Sequence, residues 1–305
     1  MGILLLSLLL CACKRESEEE KVTIVCTSFP AYDWVVSLTK GISSENHIEI
    51  CWLGDNGQDL HFYQPSVDDV VKIKESSMLV VVGGSLDPWV LDSVSAEKSP
   101  LVVSMMEVVG DDVYEEELVE GMEAEEEDEV EYDEHVWMSL AFAKRIVCEI
   151  EKNLEVLFPE DEEVIKENYY NYIEDLQALE KDYLAMRKEA TLDTILVADR
   201  FPFRYLVEEW GISYYAAFPG CSSETDASFE TIIFLADKVN DLHLPYVFVT
   251  EGSTEVLAQR VLEVADSSGE VLVLNAMQTI GKKEGETYLS IMEKNLGVLT
   301  KALNR

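Results

Sequence analysis

The sequence lacks an apolar run long enough to cross a membrane, and it is poor in glycine and proline. The apolar stretch at residues 1–13 is shorter than the roughly 20 residues that a bilayer-spanning helix needs. With 15 Gly and 8 Pro among 305 residues, the composition excludes collagen-like, mucin-like and polytopic membrane proteins. The length is sufficient for two ordinary folded domains.

Positive charge is also scarce, since 23 Lys and Arg stand against 61 Asp and Glu, a net charge of −38. A nucleic-acid-binding protein needs a basic surface to neutralise phosphates, so this class is excluded. Cations are the better candidate ligands. Part of the excess is local, because residues 107–134 hold 16 acids and no Lys or Arg.

Cysteine motifs are missing as well. Six cysteines are present, but none forms a CxxC pair or zinc-knuckle spacing. We interpret Cys26, Cys51 and Cys148 as small apolar core residues, the commonest role of free cysteine. A disulfide between Cys26 and Cys51 on neighbouring strands is the alternative.

Residues 1–20 have the pattern of a bacterial lipoprotein signal and tether. Residues 1–13 match the apolar part of a secretion signal, and residues 10–13 (LCAC) resemble a lipobox that would place a lipid on Cys13. The polar residues 14–20 would form the tether. We therefore expect an extracytoplasmic protein, lipid-anchored to the cell membrane; the alternative is a frayed apolar N-terminus.

Short β-branched runs alternate with helix-length segments, which predicts buried parallel strands in two α/β lobes, each a mostly parallel sheet flanked by helices. The first lobe covers residues 21–157 and the second covers residues 191–305. Between them, residues 158–190 carry apolar side chains at three- and four-residue steps, from Ile165 to Met186. This pattern predicts one long rigid helix joining the lobes.

The acidic tract at residues 107–134 has neither helical nor strand periodicity, and its like charges repel one another. We therefore predict a disordered loop. Two roles remain open for it, namely a solvating surface segment or a collector of cations.

Histidine is rare, with only four residues, and two of them are candidate metal ligands. His47 and His243 stand at a strand start and in a turn, so we assign them surface or structural roles. His61 and His135 each follow acidic residues near the carboxyl end of a βα segment. Open α/β sheets bind ligands at that end of their strands.

Two segments resemble motifs of a known family. Residues 61–69 (HFYQPSVDD) resemble the HxYxPxxxD segment, and residues 134–139 (EHVWMS) the DPHVWLSP segment, of the zinc/manganese ABC-transporter solute-binding lipoproteins. The resemblance extends over residues 21–305. It implies two lobes joined by a rigid helix, one metal ion held between them, and delivery to a membrane permease powered by a cytoplasmic ATPase. We expect a monomer.

The resemblance also suggests ligands, residue by residue. His61 and His135 match the two histidines of the N-terminal lobe. In the C-terminal lobe Arg200 occupies a ligand position, and arginine has no lone pair to donate. We therefore predict that Asp199 is the ligand instead; the alternative is that Asp199 pairs with Arg200 or Arg204 or caps a helix.

The last ligand position, usually Asp, holds Gln278, whose amide oxygen would coordinate the metal or hold a water molecule. Glu251 matches a glutamate that lines the cleft, and we interpret it as a support, with direct coordination as an alternative. Cys221 is a further candidate, either as a thiolate ligand or as a structural loop residue.

Two imidazoles with oxygen ligands suit Zn²⁺, Mn²⁺ and Fe²⁺, and we favour Zn²⁺ because it outranks Mn²⁺ in intrinsic affinity. The expected function is capture of Zn²⁺ for import. Two alternatives remain, a secreted metal-dependent enzyme and an adhesion or sensor lipoprotein on the same fold. The sequence has no HExxH or GxSxG motif, which disfavours the enzyme.

Overall fold

The computed structural model describes residues 21–43, 47–55, 57–58, 60–94, 99–123, 131–220, 222, 226–281 and 285–304. The predicted lipid site Cys13 and the candidate ligand Cys221 lie outside these described residues. Within the described part of the chain, no helix is long and apolar enough to span a membrane.

The N-terminal lobe contains a sheet of four parallel strands in the spatial order β2-β1-β3-β4. Its strands are β1 (Val22–Cys26), β2 (Ile48–Trp52), β3 (Met78–Val81) and β4 (Leu101–Ser104). Its helices are α1 (Phe29–Leu38), α2 (Val67–Glu75), α3 (Pro88–Asp92), α4 (Met105–Val109) and α5 (Leu140–Leu157). Nearly all residues of β1, β3 and β4 are wholly or partly buried, because helices cover both faces of the sheet.

The C-terminal lobe repeats this architecture with four parallel strands in the order β6-β5-β7-β8. Its strands are β5 (Thr194–Phe201), β6 (Ser213–Pro219), β7 (Tyr246–Thr250) and β8 (Glu270–Leu274). Its helices are α7 (Arg204–Trp210), α8 (Phe229–Asp241), α9 (Val256–Val264) and α10 (Tyr288–Leu303). The predicted fold class, two α/β lobes with mostly parallel sheets, is confirmed.

The long helix α6 (Glu162–Glu189) lies between the two sheets and has 28 residues. Its buried side chains include Ile165, Tyr172 and Tyr183, which belong to a core that continues into both lobes. The helix begins later than residue 158, because residues 158–161 form a turn whose last residue, Asp161, is held by the backbone N–H and hydroxyl of Ser43 at 2.8 and 2.7 Å.

Two direct contacts also tie the lobes together behind the cleft. The indole Nε1 of Trp137 donates to the carbonyl oxygen of Ala276 at 2.9 Å, and the hydroxyl of Tyr288 donates to the carbonyl of Trp137 at 2.7 Å. Both aromatic side chains are fully buried. The backbone that follows His135 is therefore fixed to the C-terminal lobe.

The prediction of disorder from residue 107 onward is wrong for the start of the acidic tract. Residues 105–109 form α4, residues 110–112 form a helical turn, and Glu115 forms an antiparallel bridge with Tyr132. The physical reason is a long-range contact: Arg145 on α5 donates to the carbonyls of Val108 and Val109, at 2.9 and 3.0 Å. A cation at the carboxyl end of a helix stabilises it.

Cys26, Cys51 and Cys148 are free thiols, so the alternative of a disulfide between the first two is not realised. Cys26 is fully buried in β1, and burial raises the pKa of the half-buried Cys51 to about 11. Both thiols are protonated at neutral pH and pack as small apolar side chains.

Candidate metal site

His135 is held in one orientation by the acid two residues before it. The carboxylate of Asp133 accepts hydrogen bonds from the backbone N–H of His135 at 2.9 Å and from its ring Nδ1 at 2.8 Å. Both side chains are buried. In the tautomer that donates from Nδ1 to this carboxylate, the lone pair on Nε2 faces away from Asp133.

The amide of Gln278 lies between the two candidate histidines. Its Nε2 atom is 2.6 Å from Nε2 of His135 and 3.3 Å from Nδ1 of His61. The centroids of the two imidazole rings are 5.4 Å apart. Two imidazole nitrogens from the N-terminal lobe and one amide from the C-terminal lobe therefore meet in the cleft.

His61 reaches this position from a short helical turn, Leu60–Phe62, beyond the end of β2. The loop before it touches the loop after Gln278, since a Cβ atom added at Gly57 would lie 3.3 Å from the backbone nitrogen of Gly281. A side chain at Gly57 would separate the two loops, and its φ of +77° also favours glycine.

Gln278 is positioned by Glu251, at the end of β7. The carboxylate of Glu251 accepts backbone N–H groups from Ala276 and Gln278, both at 2.7 Å, and from Thr279 at 3.2 Å. Burial raises the pKa of Glu251, and the N–H groups oppose that rise. Each of these contacts is with the backbone of the loop, which favours the interpretation of Glu251 as a support.

Asp199 does not join the histidines in this structure. Its carboxylate accepts the backbone N–H of Arg200 at 2.9 Å, and the backbone N–H and hydroxyl of Thr250 at 3.1 and 2.7 Å. The register of β5 shifts between Val197 and Arg200, and such a bulge re-aims the side chains around it. Asp199 therefore links the ends of β5 and β7, a structural role closer to the alternative than to the predicted ligand.

Arg200 and the residue before Cys221 lie close to the two histidines. The guanidinium of Arg200 is 5.8 Å from the ring centroid of Phe62, next to His61 in the chain. Gly220, just before Cys221, is in contact with His135, because an added Cβ would lie 3.2 Å from the ring atom Cε1. His47 and His243 are exposed, as their assigned roles require.

Sequence analysis missed the supporting role of Asp133. The family motif DPHVWLSP has an aspartate two residues before its histidine, and Asp133 holds the same position before His135. Residues 134–139 alone leave this aspartate out. Glu134 has a different role, since it accepts the backbone N–H groups of Ser85 and Leu86 beyond β3. Among the described residues, no group of three or more His, Cys, Asp or Glu forms a metal-binding cluster.

The sequence and the fold of this chain are similar to those of known zinc-uptake proteins. Residues 24–302 match the family described as "ZnuA: Zinc-uptake complex component A periplasmic". The zinc-binding lipoprotein AdcA of Streptococcus pneumoniae serotype 4 is 29% identical over 309 residues, covering 97% of this chain and 58% of that protein. This chain thus spans little more than half the length of that relative.

The high-affinity zinc uptake system protein ZnuA of Bacillus subtilis is 24% identical over 299 residues, covering 94% of this chain and 89% of that protein. Among solved structures, the Zn(II)-bound ZnuA-like domain of Streptococcus pneumoniae AdcA aligns with a TM-score of 0.72 at 25% identity, covering 93% of this chain and all of that domain. The expected resemblance is confirmed, and the chain belongs to the ZnuA family of zinc-uptake component A proteins.

Proposed function

We propose that this protein captures Zn²⁺ between its two lobes outside the cytoplasmic membrane and delivers it to the permease of an ABC transporter, powered by a cytoplasmic ATPase. The observation that carries the proposal is the convergence of His61, His135 and Gln278, contributed by both lobes, on one point of the cleft. Family membership and relatives named as zinc-binding or zinc-uptake proteins support it.

In this proposal His61 and His135 are the principal ligands, and Gln278 contributes its amide oxygen or holds a water molecule. Imidazole nitrogen and amide oxygen suit Zn²⁺, and they also suit Mn²⁺ and Fe²⁺. Asp133 orients the ring of His135 by accepting a hydrogen bond from its Nδ1–H group, as partners behind metal ligands commonly do. Arg200 carries a positive charge and is not a ligand.

We also propose that a lipid on Cys13 anchors the protein to the cell membrane and that it acts as a monomer. Names of relatives that include the word lipoprotein support the anchor. The family is one of solute-binding proteins rather than enzymes. The carboxylates of Asp133 and Glu251 accept hydrogen bonds from N–H groups of the protein, which disfavours a role as general base for water activation.

The test is metal titration of the mature protein and of three variants. We expect one Zn²⁺ per wild-type chain, and at 100 times Kd a gain in stability of about 2.7 kcal/mol. His61→Ala and His135→Ala should lose both the binding and the stabilisation, because each removes an imidazole ligand.

His47→Ala is the matched control, since it removes an exposed imidazole of the same lobe. It should bind Zn²⁺ like the wild type. Thermal melting that does not change with saturating Zn²⁺, Mn²⁺ or Fe²⁺ would contradict the proposal, and so would an equal loss of binding in the control.

A further inference from the structure

Within the acidic tract, residues 113–123 cross from the N-terminal lobe to the C-terminal lobe. We call this segment the strap. At its start the ring of Tyr114 stacks on the ring of Tyr205 of α7, with centroids 5.0 Å apart. The guanidinium of Arg204 covers the same tyrosine ring at 5.2 Å and donates to the carbonyl of Glu115. The strap is therefore attached to the C-terminal lobe near its first residues.

The middle of the strap is attached through its acids. Glu117 lies 3.6 Å from the guanidinium of Arg204 and accepts the hydroxyl of Tyr214 at 3.1 Å. Glu120 lies 3.5 Å from the ammonium group of Lys238 on α8. These carboxylates are occupied by the C-terminal lobe, so they are less available to collect cations.

The far end of the strap is attached by close packing and backbone hydrogen bonds. Glu123 donates its backbone N–H to the carbonyl of Ala217 at 3.0 Å, on the edge strand β6, and its carboxylate accepts the N–H of Ser228. Gly121 lies so close to the ring of Phe234 that an added Cβ would overlap the ring, and its φ is +88°. Only glycine fits there without displacement of the Phe234 ring, of α8 or of the strap.

The strap is also paired with the segment that positions His135. The carbonyl oxygen of Tyr114 accepts a hydrogen bond from the backbone N–H of Asp133 at 2.9 Å, and the backbone N–H of Glu116 donates to the carbonyl oxygen of Glu131 at 2.8 Å. The hydroxyl of Tyr205 accepts the N–H of Tyr114 at 3.1 Å and donates to the carbonyl of Asp133 at 2.6 Å. One hydroxyl of the C-terminal lobe thus connects the strap to the residue that holds the Nδ1 proton of His135.

We propose that the strap is a positioning element for metal binding: its docking on the C-terminal lobe fixes Asp133, and Asp133 fixes the imidazole of His135. Three structural elements meet at this point, the strap, the segment before His135 and helix α7. The inference rests on the proposed function, because its consequence is a change in the affinity for Zn²⁺. It differs from solvation and from cation collection, neither of which requires the strap to dock.

The test compares two glycine substitutions within the tract. Gly121→Ala places a Cβ against Phe234, whereas Gly110→Ala has the same left-handed backbone, with φ of +64°, and nothing within 4 Å of the added atom. Both changes strain the backbone, but only the first displaces the strap. We expect Gly121→Ala to weaken Zn²⁺ binding by about tenfold or more, the range typical of losing a support behind a metal ligand. Gly110→Ala should bind like the wild type.

A second variant, Tyr205→Phe, tests the connection itself, because it keeps the stacked ring and removes the bridging hydroxyl. We expect a comparable loss of affinity. The second readout is hydrogen exchange in the metal-free protein: the backbone amides of residues 131–135 should exchange faster in Gly121→Ala and Tyr205→Phe than in Gly110→Ala. Co²⁺ absorption bands, recorded as a probe of ligand geometry, should change in the same two variants.

Wild-type affinity together with unchanged amide exchange in Gly121→Ala would overturn the inference. Wild-type affinity in Tyr205→Phe would overturn the route through the hydroxyl. If the wild-type protein itself binds no Zn²⁺, the proposed function fails, and the exchange experiment still decides whether the strap holds residues 131–135 in place.

Discussion

A buried acid at the junction of the lobes makes the stability of this protein depend on pH. Asp33 on α1 is 7% exposed, and its carboxylate accepts the backbone N–H of Tyr288, the first residue of α10, at 3.0 Å. The neighbouring group on α6 is the buried phenol of Tyr172. Burial raises the pKa of Asp33 to about 6, and the hydrogen bond from Tyr288 opposes that rise.

The sign and size of the effect follow from this shift. Because the pKa of Asp33 is higher in the folded state than its ordinary value of 3.8, the folded protein binds more protons than the unfolded chain between about pH 4 and pH 6. The contribution of Asp33 to the stability of the folded protein is therefore greatest below this pH window and is lost as the pH rises through the window. The rise in the pKa of Asp33 from 3.8 to about 6 corresponds to a loss of about 3 kcal/mol in the free energy of unfolding above this window.

Asp33→Asn removes the titration and keeps an oxygen that can accept the N–H of Tyr288. We expect the variant and the wild type to be equally stable near pH 4, and the variant to be more stable by about 3 kcal/mol above pH 7. The assay is urea unfolding of the metal-free proteins from pH 4 to pH 8, taken as the difference between variant and wild type so that the other acids cancel.

The exposed Asp182 on α6 supplies the control, because Asp182→Asn removes a carboxylate that is not buried and should not reproduce the gain in stability of Asp33→Asn above pH 7. A difference between Asp33→Asn and wild type that is constant with pH would refute the reasoning. So would a wild type that is the more stable protein at pH 7.5, because the ionised carboxylate would then be favourable where it is buried.

Two further predictions concern the proposed metal site. Gln278→Glu places a carboxylate beside the two imidazoles, and we expect Zn²⁺ affinity to rise on the order of tenfold in a competitive titration. Two opposite unit charges about 4 Å apart attract each other by about 4 kcal/mol at an effective dielectric constant of about 20, and a divalent ion by about twice that, before most of the gain is offset by desolvation. Weaker binding would contradict a ligand position for residue 278. Glu251→Gln replaces one accepting oxygen with an amide donor and leaves a buried N–H of the 276–279 loop without its acceptor. The free energy of unfolding in urea should therefore fall by about 1–3 kcal/mol. Unchanged stability would show that Glu251 does not hold this loop.

The fold could be predicted from sequence because each of its main elements has a local signal. Strands buried on both faces appear as short β-branched runs, and α6 repeats apolar residues at helical spacing. The start of the acidic tract could not be predicted in this way. Helix α4 depends on Arg145, which lies more than 35 residues further along the chain, and composition does not reveal such a contact.

Part of the candidate site could likewise be predicted from the sequence, and part of it could not. His61 and His135 could be identified because residues 61–69 and 134–139 resemble two motifs of a known family. The position of Asp199 was not, since one bulge in β5 changes which way a side chain points. The support from Tyr205 was also hidden, because a tyrosine within an apolar helix has the pattern of an ordinary core residue.

The carboxylates near the proposed metal site support its ligands instead of joining them. The described side chains that meet in the cleft are two imidazoles and one amide, while Asp133 holds the ring of His135 and Glu251 holds the loop of Gln278. Each carboxylate accepts N–H donors, so in the proposed site each would act on a bound cation through its neighbour rather than by direct coordination. Electrostatic attraction weakens with distance, so this arrangement orients the ligands while holding the ion less firmly than a coordinating carboxylate would.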